Sequence, residues 1–336
     1  MEKVESARRR PVTLHDVARE AGVAISTVSR ALSTPGRVNV RTRERVQTVA
    51  QRLGYRPNLL AQALPTGRTR MLAVLVPDIT NPHNFALVRG AEAQARAAGS
   101  TLIIADTHGG PELEAAHLDR LASSVDGVVL AASRLPDTEL QSLAERLPVV
   151  LFNRRVDGLA SLATDSVDGS RQIVEHLVAL GHRSLAYLAG PSGGWSDAER
   201  WRALSGHAAE AGVRMVRCGP FPPTLEGGPA AADVGLATDA TALVAFNDLL
   251  AIGVLRRLGE RGVPVPGQVS VVGYDDIFGA DFCSPTLTTV AGPVDDAGRM
   301  LVDVLQAGRD PVPEITLPTQ LRIRASTGPA PAPPGG

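Results

Sequence analysis

Residues 13–32 read TLHDVAREAGVAISTVSRAL, and the spacing of their apolar positions decides how the chain begins to fold. Leu14, Val17, Ala18 and Ala21, then Val23, Val28, Ala31 and Leu32, recur at three- and four-residue steps with one break at Ala21-Gly22-Val23. Two short amphipathic helices joined by a tight glycine turn account for this pattern, the outline of a helix-turn-helix. Thr13 with Asp16 three residues on supplies a capping box for the first helix. The second helix leaves Ile25, Ser26, Ser29 and Arg30 on the side away from its apolar face. Small polar groups and one arginine suit a helix lying in a major groove, where arginine can fork onto guanine. The competing reading is an ordinary helical hairpin whose arginine is merely solvated.

The following residues argue against that hairpin. RTRERVQTVAQRL (41–53) forms a third amphipathic helix, and GYRPN (54–58) stops it ahead of LLAQAL (59–64). The order D-V-A-x-x-A-G-V-x-x-x-T-V-S-R, then T-R-x-R-V, L-G-Y-x-P-N and L-x-T-G-R-T resembles the LacI/GalR family of bacterial repressors, and the resemblance extends along nearly the whole chain. It implies that Ile25 and Ser26 are the variable base-reading pair, that Arg30 also reads bases, and that Thr27 and Ser29 hold phosphates. It further implies a hinge helix over 58–64, with Asn58 and Leu64 at the DNA and Leu64 wedged into the central base step of the minor groove. So short a segment does not hold a helix alone. Three departures stand out: Ala24 replaces a capping serine, a loss of ~1 kcal/mol, and Gln62 and Pro65 replace the commoner basic residues.

Composition narrows the function class. Residues 1–70 hold fourteen Arg and Lys against five Asp and Glu, leaving twenty basic against thirty acidic residues in the rest. The contact with a polyanion is therefore confined to the front of the chain. Lys3 is the only lysine, which removes the phosphate-loop G-K-[ST] and any buried Schiff-base lysine. No metal-ligand spacing or nucleophile motif occurs, so no enzyme, cofactor or metal is expected. The charged start MEKVESARRRP and the lack of a long apolar span lead us to expect a cytoplasmic protein. Cys218 and Cys283 are read as reduced, packed thiols.

After residue 70 the pattern changes. MLAVLV (71–76), TLIIA (101–105), GVVLA (127–131), PVVLF (148–152), SLAYLA (184–189), ALVAF (242–246) and VSVVG (269–273) are short apolar runs typical of strands buried on both faces. Helical stretches near 84–98, 112–122, 137–146, 169–180, 198–211 and 248–261 separate them. A helix over 294–307 and strand-like 315–317 and 320–324 follow. The expected fold is a small all-α helix-turn-helix domain plus an α/β, periplasmic-binding-protein-like core of two doubly wound parallel-sheet lobes. The expected boundaries are 1–57 for the DNA-binding domain, 58–69 for hinge and linker, and 70–325 for the core. The resemblance divides that core into an N-lobe of about 70–164 and 292–317 and a C-lobe of about 165–291 and 318–325. The proline- and glycine-rich 326–336 is expected to be disordered.

Ligands of open parallel sheets bind beyond the carboxyl ends of the strands. That rule singles out Asp78 to Phe85, Asp106, Asn153, Trp195 to Arg200, Asn247-Asp248 and Asp275-Asp276, a polar set suited to a sugar. The resemblance adds that Arg200, Asn247 and Asp275 contact the effector. Relatives carry two aromatics where this chain has His83-Asn84, so Trp195 or Phe85 is expected to supply a stacking face. The expected effector set is His83, Asn84, Phe85, Asn153, Trp195, Arg200, Asn247 and Asp275. The expected function is a homodimeric repressor of a near-palindromic operator, gated by a small sugar-like effector, with a tetramer left open. The alternative is a soluble sugar-binding receptor.

Overall fold

The computed structural model describes residues 12–33, 38–55, 68–308 and 312–332. It divides into two compact units, one ending at Thr69 and one beginning at Arg70.

In the first unit, α1 (Leu14–Ala21), α2 (Ile25–Ser33) and α3 (Val40–Leu53) pack around Val17, Ala18, Ala21, Val28, Ala31, Val46, Val49 and Ala50. The Asp16 carboxylate accepts from the Thr13 backbone N–H at 2.9 Å and from its hydroxyl at 2.8 Å, which sets the start of α1. Gly22 ends it at φ 62°, ψ 39°, a left-handed conformation that glycine adopts without steric penalty. The Val23 N–H then closes back on the Ala18 carbonyl at 3.1 Å. The helix-turn-helix angle thus rests on one glycine.

The second unit holds two six-stranded sheets. The first runs β11-β5-β4-β3-β1-β2, with β1 (Met71–Val76), β2 (Thr101–Asp106), β3 (Gly127–Ala131), β4 (Val149–Phe152), β5 (Ala160–Thr164) and β11 (Glu314–Leu317), all parallel. The second runs β12-β10-β9-β8-β6-β7, with β6 (Ser184–Leu188), β7 (Arg214–Cys218), β8 (Ala242–Ala245), β9 (Ser270–Tyr274), β10 (Thr288–Ala291) and β12 (Gln320–Arg322); only β12 is antiparallel to its neighbour. The chain passes between these lobes after β5, after β10 and between β11 and β12.

Helices α4 (Pro82–Ala97), α5 (Pro111–Leu121), α6 (Asp137–Arg146) and α11 (Val294–Ala307) belong to the first lobe. Helices α7 (Ser166–Ala179), α8 (Trp195–Glu210), α9 (Gly228–Leu236) and α10 (Asp248–Glu260) belong to the second. Strands β5, β7 and β10 and helix α9 lack the patterns that reveal the others. Cys218 and Cys283 are unpaired, and burial raises the pKa of both thiols.

The expectation of a disordered end is corrected for 326–332. Ser326 is buried, its hydroxyl donates to the Val271 carbonyl at 2.6 Å, and its N–H bonds the Thr286 carbonyl at 2.9 Å. The Gly328 N–H reaches the Ser270 hydroxyl, and the Ala330 N–H reaches the Leu180 carbonyl. Backbone partners along the second lobe override the composition of the tail.

Candidate functional site

A cavity of about 390 Å³ lies between the two lobes at the carboxyl ends of their strands. The first lobe contributes Asp78, Asn81, His83 and Asn84 after β1, Ala131 at the end of β3 with Ala132 and Arg134 beyond it, and Phe152 and Asn153 at the end of β4. The second contributes Trp195, Ser196, Asp197 and Arg200 from the start of α8, Pro223 and Thr224, Phe246 and Asn247 after β8, and Asp275 after β9.

Local structure aims these groups. Asn81 caps α4 by accepting the His83 N–H at 3.0 Å, and the Asn84 amide donates to the Asp78 carbonyl at 2.8 Å. Asn153 accepts the Thr164 N–H at 3.0 Å through its Oδ1. Asn247 caps α10 at the Leu250 N–H and donates to the Pro223 carbonyl, both at 3.0 Å. Asn247 thus caps the helix and lines the cavity wall at once.

Arg200, only 4% exposed, is the electrostatic centre. Its guanidinium lies 3.6 Å from the Tyr274 ring centroid and 4.8 Å from that of Phe246, donates to the Phe246 carbonyl, and sits 3.4 Å from Asp275 Oδ1. Its Nε is buried without a partner. Asp275 Oδ1 also faces His83 Nδ1 across the cleft at 3.5 Å, where the imidazole nitrogen has no hydrogen-bond partner.

Asp275 and Asp276 both have positive φ, 112° and 51°, a sterically costly pair for non-glycine residues. Buried Asp248 holds that turn from behind, accepting the Ile277 N–H at 2.9 Å and the Thr289 hydroxyl at 2.6 Å. Burial first, and the Asp275 charge second, push its pKa well up. Asp197, also buried, accepts from the Tyr187 hydroxyl, the Gly190 N–H and Arg217. Burial, then the Asp197 charge, hold the Tyr187 phenol well above its usual pKa.

Of the eight effector residues expected from sequence, His83, Asn84, Asn153, Trp195, Arg200, Asn247 and Asp275 line this one cavity, and Phe85 does not. Phe85 is 58% exposed and borders a separate hollow of about 450 Å³ with Phe278, Val294 and Asp295. It falls in register with Arg89, Glu92 and Arg96 on the exposed face of α4, while Asn84, Leu87, Val88 and Ala91 face inward. The His83 imidazole stacks on Phe152 in the cavity wall at 6.2 Å and 25°. Asp106 lies outside the cavity lining and holds the Ile79 and His108 N–H groups. Phe152, Phe246 and Arg134 were missed. The two phenylalanines close apolar strand runs, whereas the strand-end rule looks only beyond them.

In the first unit Ile25, Ser26 and Arg30 are exposed, Thr27 and Ser29 are half-buried, and Val28 and Ala31 point into the core. Ala24 gives α2 no side-chain cap; its carbonyl accepts the Thr27 and Val28 N–H groups at 2.8 and 3.1 Å. Arg52 of α3 bonds Glu20 of α1 at 2.5 Å. Asn58 and Leu64, and with them the expected hinge helix, lie outside the described residues.

A helix-turn-helix unit followed by a two-lobed core with an interlobe cavity defines a ligand-binding transcription regulator. Residues 13–58 match the family model for bacterial regulatory proteins of the lacI family, and residues 174–327 match that for a periplasmic binding protein-like domain. The chain is 32% identical over 333 residues to the transcriptional regulator DegA of Bacillus subtilis, covering 94% of this chain and 98% of that one. It is 31% identical over 334 residues to GalR of Escherichia coli, covering 95% and 96%. The structure of a Lac repressor dimer bound to operator and an anti-inducer superposes with a TM-score of 0.84 at 28% identity, covering 95% of this chain and all of that one. A CelR–cellobiose complex does so at 0.69 and 30%, covering 94% and all of it. The chain belongs to the LacI/GalR family of bacterial transcriptional regulators.

Proposed function

We propose that this protein is a repressor whose operator affinity is set by a small sugar-like effector held between its lobes. The observation that carries the reading is the Arg200–Asp275 pair of the second lobe, buried and facing His83 of the first across a cavity of about 390 Å³. A ligand held by groups from both lobes biases the angle between them, and it changes DNA affinity only by its differential affinity for the two arrangements. Asp275 and Arg200 offer charge-assisted hydrogen bonds to hydroxyls. Asn84, Asn153 and Asn247 offer neutral ones, and Trp195 with the His83–Phe152 wall offers flat faces to a sugar ring. The binding role extends to His83, Asn84, Asn153, Trp195, Arg200, Asn247 and Asp275 and not to Phe85.

Ile25, Ser26 and Arg30 read base edges, Thr27 and Ser29 hold phosphates, and Asn58 and Leu64 act in the hinge at the minor groove. The protein then comprises a DNA-binding domain (1–57), a hinge (58–69) and the two-lobed core, which now extends to 332. It works as a homodimer on a near-palindromic operator in the cytoplasm and has no catalytic role. Among the described residues no helix is long and apolar enough to cross a membrane. The test is a mobility-shift assay of the full chain against genomic fragments, repeated with sugars that bind it by calorimetry. A fragment whose shift changes with a bound sugar supports the reading, and the absence of any specific fragment refutes it.

A further inference from the structure

Among the described residues three polar contacts cross between the lobes at the cleft. Asp275 faces His83 at 3.5 Å, the Ser196 hydroxyl reaches the Asn153 carbonyl at 3.3 Å, and Arg134 donates to the Ser192 carbonyl. The third differs from the others in where it sits and in how firmly each end is built.

Arg134 follows β3 in a loop pinned to the first lobe. Its own N–H bonds Glu114 Oε2 at 3.1 Å, and Glu114 is buried. Arg154 holds the same loop further on, at the Leu135 carbonyl and, at 2.5 Å, at Asp137. From that base one terminal nitrogen of Arg134 reaches the Gly109 carbonyl at 2.9 Å in its own lobe, and the other reaches Ser192 in the opposite lobe. Ser192 and Gly193 are exposed at the tip of the loop before α8, with Gly193 in the left-handed region at φ 75°. The root of that loop is fixed by the Gly190 N–H on Asp197 at 2.7 Å. Arg134 itself lines the cavity.

We infer that Arg134 is the latch of the cleft: a single guanidinium that ties the glycine turn at 109 to the glycine loop at 192–194 and holds the lobes closed over the ligand space. A planar fork bonds the two carbonyls through separate nitrogens held in fixed directions, whereas an ammonium has its three donors on one atom and lacks that span. A charged donor on a backbone carbonyl is also worth more than a neutral pair. Opening the lobes about their three crossovers must break the Ser192 bond and can leave the Gly109 bond intact. Arg134 therefore weights the closed state.

The test uses the full chain with no sugar or DNA added, so its outcome is independent of the function proposed above. Hydrogen–deuterium exchange is compared for wild type, Arg134→Ala and Arg134→Lys, with Arg155→Ala as a surface control. The latch predicts that exchange at 192–197 in Arg134→Ala accelerates on the order of tenfold, the loss of one hydrogen bond to a charged group. Acrylamide should quench Trp195 more strongly in the same variant, Arg134→Lys should lie between, and the core strands should be unchanged. Unchanged exchange at 192–197 in Arg134→Ala overturns the proposal. So does acceleration confined to 107–110, which makes Arg134 a prop within its own lobe, or acceleration throughout both sheets, which makes it a folding residue. Arg134→Lys, which keeps the charge and most of the volume, decides the matter if Arg134→Ala fails to fold.

Discussion

The guanidinium of Arg200 lies 3.6 Å from the centroid of the Tyr274 ring, and Tyr274 is the residue immediately before Asp275. One arginine therefore grips the last ring of β9 and the first carboxylate beyond it. The polar wall of the cleft is fixed to the sheet at that point, and the two positive φ angles at 275 and 276 are held against relaxation.

Replacing Arg200 by Ala should remove this grip and leave the buried Asp275 without its cation. Truncating one partner of a buried pair typically costs about 3–5 kcal/mol, and calorimetry should record loss of effector binding together with a lower unfolding midpoint. Arg200→Lys should recover little, because a point charge neither stacks on Tyr274 nor forks between Phe246 and Asp275. Wild-type midpoints in both variants would mean that the Arg200–Asp275 pair adds nothing to stability.

Helices α4 and α11 meet at glycines. A Cβ on Gly298 would lie 2.1 Å from the Leu87 carbonyl oxygen and 2.7 Å from the Ala91 nitrogen, both backbone atoms that cannot turn aside. Gly298→Ala should destabilise the first lobe by about 1–3 kcal/mol, the usual range for overpacking. Urea unfolding of the full chain, followed by far-ultraviolet dichroism, measures it.

Acid should loosen the end of the chain. His182 is fully buried, with one ring nitrogen 2.8 Å from the Thr241 hydroxyl and the other 3.1 Å from the Gly328 carbonyl, and His176 meets the Thr327 hydroxyl at 2.9 Å. Burial holds both pKa values below the ordinary 6.5, and for His176 the neighbouring His182 adds to the shift. The unfolded chain then binds protons that the folded chain refuses, so stability falls as pH drops from about 6.5 through the folded values and is full above that window. Melting temperatures between pH 5 and 8 should show this slope, and His182→Gln should flatten it. An equal slope in that variant would place the titration elsewhere.

Much of this architecture is legible in the sequence because the sheets are buried on both faces. MLAVLV and GVVLA become β1 and β3 with the same ends, and the helix at 294–307 keeps its bounds. What escapes notice lacks that signature. RMVRC is a strand at the sheet edge with exposed arginines, TTVA is buried as paired threonines, and GPAAADVGL is a helix too rich in Gly and Ala to show an amphipathic period. Seven of the eight expected effector residues line the cavity, since the strand-end rule behind them rests on how parallel sheets are built. It fails for Phe85, because helical register turns that side chain outward. Arg134 lies three residues beyond β3, where the same rule applies, but the stretch after GVVLA is not among those singled out, and its partners are loop carbonyls that leave no mark in the sequence.

At the other end of the chain Arg30 is exposed on the outer face of α2. Arg30→Ala should cost on the order of 1–3 kcal/mol at a specific operator and relax preference at one base pair per half-site. Fluorescence anisotropy on an operator and its single-base variants separates this from uniform weakening, which would assign Arg30 to the phosphates.

The gating claim is tested most directly by one titration: operator anisotropy for full-length wild type and Asp275→Ala, with and without a sugar that binds the wild type. The sugar should change the wild-type operator Kd, and in Asp275→Ala the ratio of the two Kd values should fall to one, whichever sign the wild-type change has. An Asp275→Ala protein that responds to the sugar with the wild-type midpoint and amplitude would contradict it.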